Sequence, residues 1–313
     1  EAKELDKKLQ TYYLQILFFA FLTESKVDNL RDIIDVLSVN DDNKRIARNL
    51  GLDRDKLDAL HSKCSHFIHS KLDYKIKNIN NLISDEAMEP IKRAEVALTQ
   101  FGRMSDSEIV TPKNVAKDMI AMLPDLENIE EVKFLDIASK QGEFAYAIYN
   151  RFATINEAVK NNIYSLPTSA LCYEFTRKIY KLLGMPVDNI IADFTTYDLI
   201  KENSEEKIKR LNDMKFNVIV SNPPYLTKED MENLQAEVRY EPETALFGGD
   251  DGLSYYRKIF VAYDKKLKKG GLFAVEIGEE QGKAVSLLME EVGYNPVIIK
   301  DYSGSDRIVM AVK

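Results

Sequence analysis

The sequence predicts an α/β fold in which a doubly wound, mostly parallel sheet follows an N-terminal α-helical domain. Three observations predict it. Residues 1 to about 100 carry apolar side chains at helical spacing, with hardly any glycine and Pro90 as their only proline. From about residue 108, short apolar runs rich in β-branched residues alternate with helical segments, which is the signature of βα units. The residues suited to chemistry then fall at the carboxyl ends of those runs, where such sheets bind ligands. The expected boundaries are a helical domain over 1–105 and a sheet domain over 106–313.

In the first part, Leu14, Ile16, Leu17, Phe18 and Leu22 define one helix, and Leu30, Ile33, Ile34 and Leu37 a second. Further helices are expected from Leu52-Asp53 through His61 and from Leu72 through Leu82. In the second part, Thr111-Pro112 opens a helix, with proline at a tolerated first-turn position. Strands are expected at Phe134–Ile137, Ala170–Tyr173, Ile190–Ala192, Val218–Val220, Leu272–Ile277, Val297–Lys300 and Val309–Val312. The helices between them are expected at Phe144–Phe152, Arg177–Leu183, Leu253–Leu267 and Lys283–Val292.

The 313 residues suffice for two domains, and an apolar fraction of 45% with 30% charged residues is that of a globular protein. The longest apolar stretch, Tyr12 to Leu22, is interrupted by Gln15 and is too short to span a bilayer. The chain opens on Glu1, and no signal-peptide pattern is visible. Two cysteines, Cys64 and Cys172, give no disulfide framework, and a reducing, cytoplasmic setting is expected. The net charge of −8 argues against a uniformly basic surface for coating DNA. Lys44, Arg45, Arg48, Lys71, Lys75 and Lys77 form a modestly basic stretch, read equally as solvated helix faces or as phosphate contacts. His61, Cys64, His66 and His69 fall within nine residues, yet at about 100° per residue they diverge around a helix, so no metal site is expected. Lys265, Lys266, Lys268 and Lys269 read as a solvated helix C-terminus.

The strongest motif is Asn222-Pro223-Pro224-Tyr225, which ends the apolar run Phe216 to Val220. An amide, two ring-locked residues and an aromatic suit the gripping of a planar group that carries an NH2. The Asn222 carboxamide oxygen and the Pro223 carbonyl can accept its hydrogens, and Tyr225 can lie on its face. Upstream, the turn from Asp136 through Ala138, Ser139 and Gly142 to Phe144 suits a polar ligand approached by backbone. Glu174, followed by Phe175, is read as ending the second strand, where an acid can accept ribose hydroxyls. Asp193 and Phe194 are read as ending the third, suited to an adenine amino group and ring. Acids at three successive strand ends fit S-adenosyl-L-methionine.

On these residues the chain resembles two branches of one methyltransferase superfamily with a Rossmann-like sheet. Residues 1 to about 220 resemble the adenine-N6 DNA methyltransferases of type II restriction-modification systems. The matching stretches are Val110-Thr111-Pro112, the Phe134 to Phe144 turn, Asn162 to Thr168, Tyr173 to Arg177, and Phe194 to Asp198. The usual turn has a glycine where Lys140 stands. Residues from about 218 onward are similar to the release-factor glutamine methyltransferases. That match runs through Ser221 to Tyr225, Glu237 to Pro242, Ala245 to Leu253, Tyr256-Arg257, Gly270 to Leu272, Glu276 to Gly278, Gln281-Gly282 and Asp306-Arg307. The helical bundle of the second branch and the target-recognition region of the first are not recognisable. The chain is thus a mosaic, natural or joined, with its seam near Lys215 to Ser221.

The resemblance implies a methyltransferase acting on a planar NH2 nitrogen. Thr111 and the Asp136 turn would hold the methionine end of the cofactor, Glu174 its ribose, and Asp193 with Phe194 its adenine. The expected acceptor is adenine N6 in DNA, flipped from the duplex. The alternatives are a glutamine of a release-factor protein, or a binding module that keeps the fold without activity.

Overall fold

The computed structural model describes residues 12–63, 65–101, 113–191, 209–232, 247–301 and 303–313. Among the sequence-predicted site residues, Thr111, Asp193 and Phe194 lie outside that set, as do Cys64 and the Glu237 to Pro242 segment. The chain divides into two compact units, Glu1–Arg93 and Ala94–Lys313, with the boundary inside the helix Pro90–Gln100.

In the first unit five helices are described: α1 (Tyr13–Leu22), α2 (Leu30–Val36), α3 (Asp41–Asn49), α4 (Arg54–His61) and α5 (His66–Ser84). Helix α1 is buried from Ile16 to Leu22, on every side of the last two turns, so it is the central helix of this unit rather than an amphipathic surface helix. Asn29, Asn40 and Asp53 start the next three helices, each side chain accepting a backbone N–H of the first turn. Two buried asparagines stitch the unit. Asn43 accepts from the Thr23 hydroxyl at 2.8 Å and donates to the Val36 carbonyl at 2.9 Å. Asn80 donates to the carbonyls of Ala20 and Ser25 and accepts from the Val27 N–H.

The second unit holds a six-stranded sheet. After helix α6 (Pro90–Gln100) and helix α7 (Lys113–Ala121) come β1 (Phe134–Ser139), α8 (Glu143–Ile148), β2 (Ile163–Pro167), α9 (Ala170–Leu182) and β3 (Phe216–Ser221). The chain continues through α10 (Ser254–Asp264), β4 (Leu267–Glu276), α11 (Gly282–Glu291), β5 (Asn295–Lys300) and β6 (Asp306–Val312). The order is β2-β1-β3-β4-β6-β5; β2, β1, β3 and β4 are parallel, and β6 is antiparallel to both neighbours. Ile190 adds a parallel bridge to Ser165 beyond β2. Strand β1 is fully buried, as expected of a central strand covered on both faces.

The structure corrects the sequence reading in three places. Ala170–Tyr173 is not a strand: β2 lies earlier, at Ile163–Pro167, and Ala170 opens α9. The Ser169 side chain caps that helix by accepting the Cys172 N–H, and Cys172, Phe175, Thr176, Ile179 and Tyr180 are its buried face. A four-residue apolar run does not distinguish strand from buried helix, and here the cap decides. The lysine run is also reassigned. Helix α10 stops at Asp264 and β4 begins at Leu267. Lys266 is buried, with Nζ donating to the carbonyls of Leu211 and Asn212, and Lys268 Nζ donates to Asn217. These two lysines tie the start of β4 to the segment that enters β3. The third correction concerns Asp136, the third residue of a strand that runs to Ser139, so it lies inside the sheet and not at its end.

Candidate active site

The parallel register brings three strand ends into one row. Ile137 pairs with Ser221, and Ser221 with Val275. The next residues are therefore Ala138 on β1, Asn222 after β3 and Glu276 on β4, side by side at the carboxyl edge, with neighbouring strands about 4.8 Å apart. The Ser221 hydroxyl donates to the Ile137 carbonyl at 3.0 Å and fixes the central pair.

On the β1 side the chain turns sharply. Ala138 has φ +64°, a left-handed conformation rare for a residue with a Cβ, within a break in the β1–β2 register. Gly142 has φ +84°. A Cβ there would lie 3.3 Å from Ile179 Cβ and 3.4 Å from Thr176 Cα, so the glycine also lets α9 pack against the turn. Ser139 Oγ lies 3.2 Å from Thr176 Oγ1, a second tie to α9. The Gln141 N–H donates to Glu143 at 2.8 Å, and the Gln141 side chain donates to the Phe101 carbonyl. Asp136 is buried, and among the described residues neither carboxylate oxygen has a hydrogen-bond partner within normal distance and angle, Ser139 contributing only a weak opposing pull. Burial, reinforced by the nearby Glu143 charge, holds its pKa well above the usual carboxylate range.

On the β3 side, Asn222 to Tyr225 form an irregular loop, with Pro223 buried and the other three half-buried. Gln281 clamps this loop. Its Nε2 donates to the Tyr225 carbonyl at 2.9 Å and its Oε1 accepts the Gly278 N–H at 3.0 Å. Leu226 bridges Phe247, and the Gly248 N–H donates to the Leu226 carbonyl at 2.8 Å. Three glycines make room. A Cβ at Gly248 would fall 2.7 Å from Tyr225 Cα, one at Gly252 2.4 Å from the Tyr225 oxygen, and one at Gly278 3.3 Å from the Tyr225 ring. Burial, with a smaller push from Glu276, raises the Tyr225 hydroxyl to a pKa of about 12, so it stays protonated at neutral pH.

On the β4 side, Glu276 is 4% exposed, and its Oε2 is buried without a hydrogen-bond partner among the described residues. Burial pushes its pKa up to about 7 against the attraction of Arg307, itself held by Asp301 at 3.0 Å. The Tyr256 hydroxyl donates to the Glu276 backbone carbonyl at 2.7 Å. Sequence reasoning quoted Glu276, Gln281 and the glycines only as part of a resemblance; the burial of an acid directly after the run Leu272 to Val275 is the signal that singles it out.

Of the sequence-predicted residues, the structure brings Ala138 and Ser139 to the same edge as Asn222, Pro223, Pro224 and Tyr225, with Asp136 two residues inside that edge on β1. Phe144 and Phe175 are buried core residues, Phe175 meeting Phe101 edge to face at 5.8 Å. Glu174 is buried within α9, not at a strand end. The expected set of acids at three strand ends is therefore not found in that form. Of the histidine cluster, the His61 and His69 rings stack with centroids 4.6 Å apart. No helix among the described residues is long and apolar enough to cross a membrane.

Comparison with known proteins places this edge in context. A family model described as N-6 DNA Methylase matches residues 94–271, more than half of the chain. The release factor glutamine methyltransferase of Fusobacterium nucleatum is 32% identical over 191 residues, which cover 60% of this chain and 49% of that protein. The one from Caulobacter vibrioides is 48% identical over 100 residues, 31% of this chain and 35% of that protein. The chain thus spans about half or less of the length of these two curated relatives. Among solved structures, the type I restriction-modification methyltransferase subunit from Streptococcus thermophilus superposes with a TM-score of 0.52 at 15% identity, over 91% of this chain and 60% of that one. That likeness establishes the fold, a Rossmann-like methyltransferase sheet.

Proposed function

The chain belongs to the N-6 DNA methylase family, and on that premise we propose that it transfers a methyl group from S-adenosyl-L-methionine to the side-chain amide nitrogen of a glutamine in a protein. One observation carries the choice of acceptor. Among the described residues, the clamp on the Tyr225 end of the loop is built from Gln281, Gly248, Gly252 and Gly278, all beyond Ser221. That is the segment resembling release-factor glutamine methyltransferases, and relatives of that name match at 32–48% identity. A release factor is therefore the protein partner proposed, and an acidic chain of net charge −8 meets no electrostatic obstacle there.

The residues present fit the methyl donor. Asp136 has two buried oxygens that lack a donor among the described residues, and an ammonium group would supply one. Asp136 and the Ala138–Ser139 turn would hold the methionine end. When bound, S-adenosyl-L-methionine supplies the electrophilic methyl on its sulfonium. The amide nitrogen of the acceptor is a weak nucleophile because its lone pair is delocalised. The Asn222 side-chain oxygen and the Pro223 carbonyl accept its two hydrogens, favour a tetrahedral nitrogen and stabilise the charge that develops there. Tyr225 fixes the plane of the acceptor, which serves orientation.

A second reading, adenine N6 in DNA, is favoured by the span of the family match, which covers the cofactor side and runs into β4. Incubating the chain with tritiated donor, duplex DNA and a release factor together tests the choice. Label is expected on protein; label on DNA alone would reverse it.

A further inference from the structure

Methylation of an amide nitrogen leaves that nitrogen one proton in excess, and the proton needs an acceptor. Asn222 and the Pro223 carbonyl hold the hydrogens but are too weakly basic to remove one. Tyr225 is protonated at neutral pH. Asp136 lies within β1, two residues before the edge row. Glu276 is the acid of that row, beside Asn222 on β4, with the β1 turn on the other side of Asn222. Successive pairs from Val218 with Leu272 to Ser221 with Val275 keep one register, so Asn222 and Glu276 are the next residues on adjacent strands at that edge. The buried Oε2 of Glu276 is an acceptor that has no donor among the described residues.

We propose that Glu276 takes the proton from the acceptor nitrogen as it is methylated, an assignment that rests on the function proposed above. The nitrogen lone pair forms the N–C bond, and the S–C bond breaks with its pair going to sulfur. The N–H bond then breaks, leaving its pair on nitrogen, and the proton passes to the Glu276 carboxylate and from there to solvent. The groups facing Glu276 suit the task. Glu143 on α8 opposes its ionisation, whereas Arg307 on β6 and Lys140 in the turn after β1 favour it. Tyr225 and Tyr256 on α10 also interact with its charge, and the Tyr256 hydroxyl donates to its backbone oxygen. A carboxyl that titrates near 7 accepts a proton and releases it again at the working pH.

The test is a pH profile of methyl transfer to a release factor from pH 5.5 to 9. For the unaltered chain, kcat is expected to rise through one ionisation near 7 and then level. Glu276→Gln, neutral and of the same shape, is expected to lower the plateau by about 10²-fold or more and to erase the rise. KM for the acceptor and Kd for the donor should stay within about twofold. Arg307→Met removes an attraction that favours the carboxylate, so the rise should move to higher pH without loss of the plateau. A Glu276→Gln enzyme with the original plateau and rise overturns the assignment. So does a flat profile for the unaltered chain, or an active Arg307→Met enzyme whose rise has not moved. Absence of any transfer by the unaltered chain overturns the proposed function itself, and is read separately from these outcomes.

Discussion

The role proposed for Asn222 depends on the placement of its neighbours. Pro223 and Pro224 lock their own φ angles, and Gln281 holds the Tyr225 carbonyl at 2.9 Å. Asn222→Ala is expected to remove about 2.7–4 kcal/mol of transition-state stabilisation, the loss typical of one preorganised polar partner. Single-turnover kinetics should show it in kcat, with donor affinity unchanged. Gly252 makes the complementary case. It has φ +71°, and a Cβ would lie 2.4 Å from the Tyr225 oxygen and 2.5 Å from Gln281 Nε2. Gly51 has a similar φ of +69° with nothing within 4 Å of a Cβ. Gly51→Ala therefore carries only the backbone penalty, whereas Gly252→Ala adds an overpacking cost of about 1–3 kcal/mol and displaces the loop. Urea titrations of the two variants should differ by that amount, and only Gly252→Ala should lose methyl transfer. Equal stability losses with retained activity would mean that the loop is not clamped as described.

Helix α9 shows how much was legible before the structure and why the rest was not. The strands expected at Val218–Val220 and Leu272–Ile277 are legible because continuous apolar runs are distinctive, and a proline pair ends the first. Ala170–Tyr173 has the same length of apolar run, but its outcome was set by Ser169, one residue earlier. A cap is a single side chain, and its effect appears only when the buried face from Cys172 to Tyr180 is known. That misplacement carried Glu174 to a strand end that does not exist. The lysine run misled for a related reason: Lys266 and Lys268 point inward to acceptors more than 50 residues away in sequence, which no local pattern can reveal. The candidate site fared better at its acceptor loop than at its cofactor side. The loop is contiguous, whereas the row Ala138, Asn222, Glu276 exists only through strand register. Ser169→Ala is expected to destabilise the chain by about 1 kcal/mol. Because Ser139 and Gly142 both rest on α9, it should also weaken donor binding, measured by calorimetry. A stability loss with unchanged donor affinity would separate the turn from the helix.

The buried acids make stability and function pull against each other across the molecule. Glu276 is pushed up to about 7 from an ordinary 4.5, and Asp136 is raised as well, both chiefly by burial. As pH rises from the unfolded value, the unfolded chain releases these protons first while the folded chain still holds them. The folded state therefore binds more protons, and stability falls with rising pH until the folded value is passed. For Glu276 that window is about 4.5 to 7. Asp301 has the opposite sign. Hydrogen bonding by Ser303 and Arg307 holds it down to about 2, so its contribution is present above the ordinary carboxylate range and fades as pH drops toward 2. The two groups thus act in opposite senses, and the Glu276 contribution is lost in the pH range where the carboxylate forms. In thermal unfolding, Tm should fall between pH 5 and 7.5, by roughly 2–4 °C for each kcal/mol lost. Glu276→Gln should flatten that fall and leave Tm at pH 4.5 nearly unchanged. S-adenosyl-L-methionine should raise Tm more at pH 7.5 than at pH 5, because an ammonium beside Asp136 favours the carboxylate that burial opposes. A Tm that climbs from pH 5 to 7.5, or a Glu276→Gln profile parallel to that of the unaltered chain, would show that the folded state does not hold the Glu276 proton and that the edge row is wetter than its burial implies.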